Sequence, residues 1–549
     1  MSVKRIWLLF GFVLLISMIF AGRLFFLQII KGKFYRALAQ GQYESLEETQ
    51  GARGEILFSN EKKLATNNEK TFLLFPLSKV TADSQLTQSL EDILHFSLKD
   101  IEEQKTIKKE ITDAQEQALI SLESSLLSIE KLKVRFYPQK ELAAHVVGFV
   151  GGNNQGQYGL EENYETELRG QPGLFKWEHS PFGFLISNSE DLSSSQVGNN
   201  LVLTLDYNIQ FKSEKLLQEA KDRWNINSGS ITIIDPYTGA VLAMANFPSF
   251  DPNTYAENSL INFQNASVQK LFEPGSVFKA FTMAAGLNEG KITPLTSYED
   301  KGYIDVGGPP IYNYEHKVYG NKNMTEVLEQ SINTGAVFVE DLLGPDLFWK
   351  YVERFGFTQP TRIDLAGESY SSNLSLKNGY PRDFATASFG QGIAVTPIQF
   401  VKAFSAIVNN GKMVQPYIIS KIINPQGEEK ITSIKTEEVI APKTAAQLTT
   451  MLVNVVENGY GKRAQIKGYQ IAGKTGTAEI LLPGETTYDQ NQTIQSFVGF
   501  APALNPRFLA LVKLDNPETR SAYYSAAPLF RELAEFILHY YQIPSSLNP

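Results

Sequence analysis

The chain opens on a block of apolar positions unlike anything after it. Lys4 and Arg5 precede an uncharged, mostly apolar run from Ile6 to Gly22, and Leu24 to Ile30 resumes it after Arg23. The first run is near the lower limit for crossing a bilayer's hydrocarbon, about 17 residues. Arg23 can snorkel to the far headgroups and let the helix continue. No A-x-A-like cleavage site follows, and the run is longer than a usual signal core. The pattern therefore predicts an uncleaved, single-pass anchor. Lys4 and Arg5 belong in the cytoplasm, and the chain beyond about residue 30 belongs outside the membrane.

Later segments are mixed in pattern. "GARGEILFSNEKKLA" carries Gly51 and Gly54 amid alternating positions, which predicts a turn into a short strand or hairpin. Residues 82 to 133 lack Pro and Gly. There Leu90, Ile93, Leu94 and Leu98 recur at helical spacing, predicting two or three surface helices with a solvated charged face. "GLEENYETELRGQPG" predicts a short helix ending at Gly170. The polar stretch 187 to 200, "SNSEDLSSSQVGNN", predicts a loop and the main domain boundary. Beyond it, "LVLTLD" predicts a strand and Asn208 to Trp224 a helix. "SGSITIIDPYTGAVLAMAN" predicts two strands around an Asp235–Gly239 turn. "YQIAGKTGTAEI", "QSFVGFAP" and "RFLALVKLD" predict three more strands, and "APLFRELAEFILHYY" a closing helix. Strands at both ends with helices between them imply one antiparallel sheet covered by helices.

Composition narrows the chemistry by exclusion. A chain of 549 residues exceeds a single compact domain. A net charge of −9 argues against nucleic acid as a partner. With no cysteine there is no disulfide and no thiol chemistry. The five histidines (95, 145, 179, 316 and 539) show no metal-ligand spacing, and no Walker-type phosphate loop occurs. Neither a metal nor another cofactor is expected.

The candidate chemistry centres on "EPGSVFKAF", residues 273 to 281. Ser276 can be read as the cap of a core helix. It can also be read as a nucleophile, because Lys279 three places on shares its helix face and can act as its base. Ser-x-x-Lys alone decides nothing, since it also occurs at Ser59/Lys62, Ser128/Lys131 and Ser267/Lys270. The order of motifs is more specific. Ser276-x-x-Lys279 is followed by Ser331-x-Asn333 and then by Lys474-Thr475-Gly476. That triple set marks serine enzymes that open β-lactams and penicillin-binding proteins.

The chain resembles a class B penicillin-binding protein, a monofunctional peptidoglycan transpeptidase. "LVLTLDYNIQ", "IDPYTGAVLAMANFPSFDPN", "ASFGQGIAVTPIQ", "VVENGYGKRA" and "SFVGFAPALNP" extend the likeness through the second half. "HVVGFVGG" and "GLEENYETELRGQPG" extend it through the first. One departure is Phe58-Ser59-Asn60-Glu61, where the family usually has an Asp-Arg-Asn-Gly turn. The resemblance implies an α+β penicillin-binding transpeptidase fold, an antiparallel sheet flanked by helices. A single transmembrane helix and a smaller elongated pedestal domain precede it. The expected spans are a cytoplasmic tail 1–5, an anchor 6–30, a pedestal 31–190 and a transpeptidase domain 200–549. No glycosyltransferase-like half precedes that domain, and no appendage is expected beyond residue 545.

The resemblance also implies roles. Ser276 attacks the carbonyl between the last two D-alanines of a stem peptide, and Lys279 is its base. An unshifted lysine would cost about 4.6 kcal/mol to keep neutral at pH 7, so burial and a nearby Lys474 cation are needed. Ser331 relays a proton to the leaving amine. Asn333 binds the substrate amide, and Thr475 and Thr477 hold its carboxylate. The Ser276 and Thr477 N–H groups form the oxyanion hole. Gly476 is expected to let the substrate backbone approach closely. Implied partners are peptidoglycan stem peptides, β-lactams, the cytoplasmic membrane, a SEDS-family glycosyltransferase and other cell-wall synthesis proteins. A division role is favoured over elongation by the Ser-x-Asn motif and the modest accessory region. The alternatives are a D,D-carboxypeptidase or β-lactamase-like hydrolase, and a non-catalytic anchored scaffold or β-lactam sensor. The anchor and long accessory half argue against the hydrolases, and the complete residue set against a dead scaffold.

Overall fold

The computed structural model describes residues 3–31, 44–49, 51–98, 106–171, 173–179, 185–193, 195–481 and 488–545. Residues 1–2 of the expected tail, 32–43 of the juxtamembrane segment and 546–549 at the C-terminus lie outside the described residues. The chain divides into two compact units, Met1–Gly54 with Arg169–Gly198, and Glu55–Leu168 with Asn199–Pro549.

The first unit carries the apolar helix Val3–Phe25, which continues as a π-helical turn Phe26–Ile30. Among the described residues it holds the one helix long and apolar enough to cross a membrane, with mean hydropathy 2.2 over Phe10–Ile29. Its large side chains, from Trp7 and Phe10 to Phe20 and Phe25, are exposed. The same unit holds a three-stranded antiparallel sheet in the order Glu44–Thr49, Gly173–His179, Leu185–Ser193. The loop expected from residue 187 is thus a strand as far as Ser193. Ser, Asn and Asp favour turns when judged locally, but ladder pairing with a neighbouring strand overrides that preference.

The second unit contains two large sheets. The first runs Glu429–Ile431, Ile419–Ile423, Asn200–Leu203, Ile56–Leu57, Lys63–Pro76, Thr106–Ile111, with Ser128–Phe136 also paired to Lys63–Pro76. It joins strands from both halves of the chain. The expected hairpin is present between Ile56–Leu57 and Lys63–Pro76. Its turn closes through the Lys62 carbonyl and the left-handed Glu61 in place of the family's glycine turn. Residues 82–133 are not purely helical. Helices Ser84–Leu94 and Asp113–Ile120 alternate with strands Thr106–Ile111 and Ser128–Phe136 around a small core of Leu73, Phe75, Leu90, Ile107, Ile111 and Leu119. "GLEENYETELRG" forms two short helices, Gly159–Asn163 and Glu165–Leu168, before a left-handed Gly170.

The second sheet positions the site. Its strands are β1 Ser228–Ile234, β2 Val241–Phe247, β3 Ala472–Leu481, β4 Tyr488–Ala501 and β5 Phe508–Asp515. They lie in the order β2-β1-β5-β4-β3, antiparallel throughout, with β3 at one edge. The β1–β2 hairpin turns where the Asp235 carboxylate accepts from the Tyr237 and Thr238 N–H groups, and Gly239 takes φ +85°. Alternation sends Leu509 and Leu511 to one face and Phe508, Ala510 and Val512 to the other, and both faces are buried. One face is covered by α1 Tyr207–Trp224 and α7 Ala526–Tyr540. The core on the other side holds α2 Lys279–Asn288, α3 Met324–Glu329, α4 Asn333–Leu343, α5 Pro397–Val408 and α6 Pro442–Glu457, of which α5 and α6 lie against the strands. The α+β architecture read from the sequence is the one observed.

Candidate active site

Ser276 does not cap a helix. It lies in a single 3-10 turn, Gly275–Phe278, that runs directly into α2, and its hydroxyl accepts from Lys279 Nζ at 3.1 Å. The turn sits on the edge strand. Gly275 takes φ +61°, and a Cβ there would lie 3.0 Å from Ala478 Cβ on β3. The Gly275 N–H donates to the Gly390 carbonyl, and a Cβ on Gly390 would meet the Gly275 backbone at 2.2 Å. The "FGQG" loop therefore braces the serine turn. Behind it, Val277, Phe278 and Phe281 are buried, so Ser276 is a partly accessible hydroxyl on a rigid base.

Three elements converge on Lys279. Its Nζ donates to the Ser331 carbonyl at 2.6 Å, Asn333 Oδ1 at 2.7 Å and Ser331 Oγ at 3.3 Å. Ser331 occupies the turn between α3 and α4 with φ +54°, a costly conformation for a residue with a side chain. Lys474, from β3, donates to Ser331 Oγ at 2.9 Å and to the Thr475 carbonyl at 3.0 Å. The Ser331 hydroxyl thus bridges the two lysine Nζ atoms.

Both lysines are completely buried. Desolvation lowers Lys279 well below the ordinary lysine value, and the Lys474 charge pushes it further. Desolvation alone brings Lys474 down to about 7. Neither lysine forms an ion pair with a carboxylate among the described residues. Both shifts favour the neutral amine over what an exposed lysine would show.

Gly476 has a structural reason that the sequence did not disclose. Paired with Ser496, it faces the serine turn, where a Cβ would lie 2.5 Å from Ser496 Oγ and 3.0 Å from both the Pro274 carbonyl and Val277 Cγ1. A side chain here would push the nucleophile's turn off the sheet. Thr475 and Thr477 alternate with Lys474 and Gly476 along the strand. Thr475 joins the cluster through its carbonyl. The Thr477 hydroxyl accepts from the Ala522 N–H at 3.2 Å, outside the cluster.

The structure thus brings Ser276, Lys279, Ser331, Asn333 and Lys474 into one hydrogen-bonded group and sets Thr475, Gly476 and Thr477 beside it. Sequence reasoning missed Asp300, Asn313 and Thr334, which form a buried network behind Asn333. Their spacing carries no motif. Among the described residues no group of acidic, His or Cys side chains is arranged to hold a metal.

Known proteins resemble the chain over nearly its whole length. The penicillin binding protein transpeptidase domain family matches residues 229–535, and the penicillin-binding protein dimerisation domain family matches 48–203. Stage V sporulation protein D of Bacillus subtilis is 32% identical over 532 residues, covering 94% of this chain and 82% of that protein. Penicillin-binding protein PbpB of Mycobacterium tuberculosis is 30% identical over 583 residues, covering 98% of this chain and 85% of that protein. Among solved structures, penicillin binding protein 3 of Mycobacterium tuberculosis complexed with aztreonam superposes with a TM-score of 0.73 at 28% identity. It covers 92% of this chain and 98% of that one.

Proposed function

The chain belongs to the class B penicillin-binding proteins, and on that premise we propose how its cleft carries out peptidoglycan D,D-transpeptidation. Neutral Lys279 takes the Ser276 proton as Ser276 Oγ attacks the carbonyl between the two terminal D-alanines. The Oγ–C bond forms, the peptide C–N bond breaks, and D-alanine leaves with a proton relayed by Ser331. The amine of a second stem then attacks the ester, returns a proton to the cluster and frees Ser276, leaving a crosslink. A β-lactam enters the first half of this sequence and stays on Ser276 as an acyl group.

Placement supports the remaining roles. Lys474 lies across Ser331 from Lys279, so its charge favours the neutral form of the base. Thr475 and Thr477, on the edge strand beside the serine turn, take the substrate's carboxylate with Lys474 nearby. The Ser276 and Thr477 N–H groups face the developing oxyanion. Asn333 holds the substrate amide, and Gly476 keeps the strand and the serine turn in contact. The matched family domains support a division of labour between an accessory span, 31–190, and a transpeptidase span, 200–549.

The cellular reading goes further. The helix Val3–Phe25 anchors the chain, with Lys4 and Arg5 on the cytoplasmic side and the cleft on the other. The anchor and juxtamembrane region dock a SEDS-family glycosyltransferase. The Ser-x-Asn motif and modest accessory span support a division role over elongation.

One observation carries the reading: a wholly buried lysine amine stands 3.1 Å from a partly accessible serine hydroxyl. The test is labelling of the full-length protein, in detergent, with a reporter penicillin, followed by peptide mapping by mass spectrometry. Label is expected on Ser276 and is expected to vanish in Ser276→Ala. A folded parent protein that takes no label would overturn the proposal. Adding an amine acceptor with a stem-peptide donor then separates crosslinking from hydrolysis.

A further inference from the structure

Helix α4 is capped from outside itself. Ile332, the residue before it, offers no side-chain cap. Instead the Asn333 and Thr334 N–H groups donate to Asn313 Oδ1 at 3.0 and 3.1 Å. Asn313 is held in turn by Asp300, donating from Nδ2 to both carboxylate oxygens at 2.9 Å, and also to the Lys317 carbonyl at 3.1 Å. Asp300 is 2% exposed. It also accepts from Thr334 Oγ1 at 2.6 Å, the Tyr319 N–H at 2.7 Å and the Gly302 N–H at 3.0 Å. Burial opposes its ionisation, but the hydrogen bonds from Thr334, Tyr319, Gly302 and Asn313 outweigh burial and hold the carboxyl below its ordinary range.

This arrangement has a polarity. An ionised carboxylate only accepts, so Asn313 must turn its NH2 toward Asp300 and its oxygen toward α4. The neighbouring Tyr312 carbonyl also only accepts, and Asn333 Nδ2 donates to it at 3.0 Å. Asn333 must then turn Oδ1 away from it, and that oxygen meets Lys279 Nζ at 2.7 Å. Segment 312–313 therefore grips Asn333 by backbone and side chain. The same grip fixes the left-handed Ser331 two residues before.

We propose that Asp300 and Asn313 are positioning residues for acyl transfer, acting through the start of α4 and the Tyr312 carbonyl to aim Asn333 and Ser331 at Lys279. The proposal rests on reading Ser276 and Lys279 as nucleophile and base. It predicts more than a loss of stability. If Asn333 Oδ1 turns away, Lys279 loses an acceptor that favours its charged form. Its neutral fraction then extends to lower pH while the serine–lysine geometry loosens. The charged neighbour acting on Lys279 is Lys474, and it is unchanged in the variants below.

The test measures acylation of the full-length protein by the reporter penicillin, per folded molecule, across a pH series. Asp300→Asn, Asn313→Ala and the double variant are compared with the parent, with thermal unfolding in parallel. Each single variant is expected to slow the limiting acylation rate at least tenfold, out of proportion to any change in half-saturating concentration. The acid limb of the rate profile is expected to move to lower pH. The double variant is expected to be no slower than the worse single one, since both act along one path. Should Asp300→Asn fail to fold, Asn313→Ser carries the same test. A limiting rate and acid limb within twofold of the parent in a folded variant would overturn the proposal, as would additive losses in the double variant. A parent that never labels on Ser276 would instead overturn the functional reading.

Discussion

Two buried cationic centres in this molecule are built on opposite principles. In the accessory span, Arg135 Nε donates to Glu161 Oε1 at 2.5 Å, with side-chain exposures of 4% and 0%. The Tyr137 hydroxyl donates to the same oxygen at 3.2 Å. There a buried charge meets an opposite charge. At the candidate site, Lys279 and Lys474 are buried as deeply, and among the described residues their hydrogen bonds go only to hydroxyl and carbonyl oxygens. Burial is the same and the electrostatics are reversed. One centre pairs its charge with a carboxylate, while the other lowers the proton affinity of its lysines by burial. Lysines perturbed in this way cluster at functional sites.

The comparison can be broken most decisively by exchanging the consequences. Lys279→Met is expected to slow penicillin acylation about a thousandfold or more, the loss of a general base. Its stability is expected to fall by no more than about 1 kcal/mol, because the desolvation relieved offsets the hydrogen bonds lost. Glu161→Gln is expected to do the reverse. It takes the carboxylate from beside a buried guanidinium, at a cost of about 3 kcal/mol or more, while the folded fraction acylates at the parental rate. Denaturant unfolding and reporter-penicillin kinetics on both variants check this. A Glu161→Gln protein that is fully stable, or a Lys279→Met protein that acylates normally, ends the contrast.

The cleft was far more legible in the sequence than the accessory span, and for a physical reason. Ser276, Lys279, Ser331, Asn333 and Lys474 meet through their side-chain functional groups, and residue types of that kind at fixed spacing read as motifs in the sequence. The strand Thr106–Ile111 buries only Ile107 and Ile111. Four residues apart, they read equally well as one face of a helix. Asp300 and Asn313 leave no pattern either. Asp300 meets Thr334 across 34 residues of chain, and only the fold brings them together. Gly476 stands out within its motif, but the neighbours that demand a glycine there, Pro274, Val277 and Ser496, come from two other segments.

The buried lysine centre also responds to pH. Lys474 is held down to about 7 by burial, against about 10.4 in an unfolded chain. Between those values the unfolded chain binds more protons than the folded one. Stability therefore rises with pH from about 7 to about 10.4, by about 1.4 kcal/mol per unit for one proton. Below about pH 7 both states are protonated, and the folded state bears the full desolvation cost. Lys474→Met is expected to remove this rise, so that parent and variant diverge by about 2 kcal/mol between pH 7 and pH 9. Unfolding midpoints at the two pH values measure it. Parallel stability curves would mean that Lys474 keeps an ordinary proton affinity in the fold.

An exposed ion pair gives the smallest effect. Arg223 donates to Glu532 at 2.6 Å and to Glu219 at 2.8 Å, as short as many buried contacts. Yet its side chain is 41% exposed and its partners are 28% and 29% exposed. Water solvates these charges almost as well as they solvate one another, and salt screens what remains. Arg223→Gln is therefore expected to cost less than about 1 kcal/mol, to cost still less at high ionic strength, and to leave acylation untouched. Glu161→Gln is expected to keep its full cost in the same salt series, because its partner is out of the ions' reach. If the two variants cost the same and fade together, contact length and not burial sets the worth of a charge here. The contrast between the accessory pair and the cleft lysines would then lose its basis.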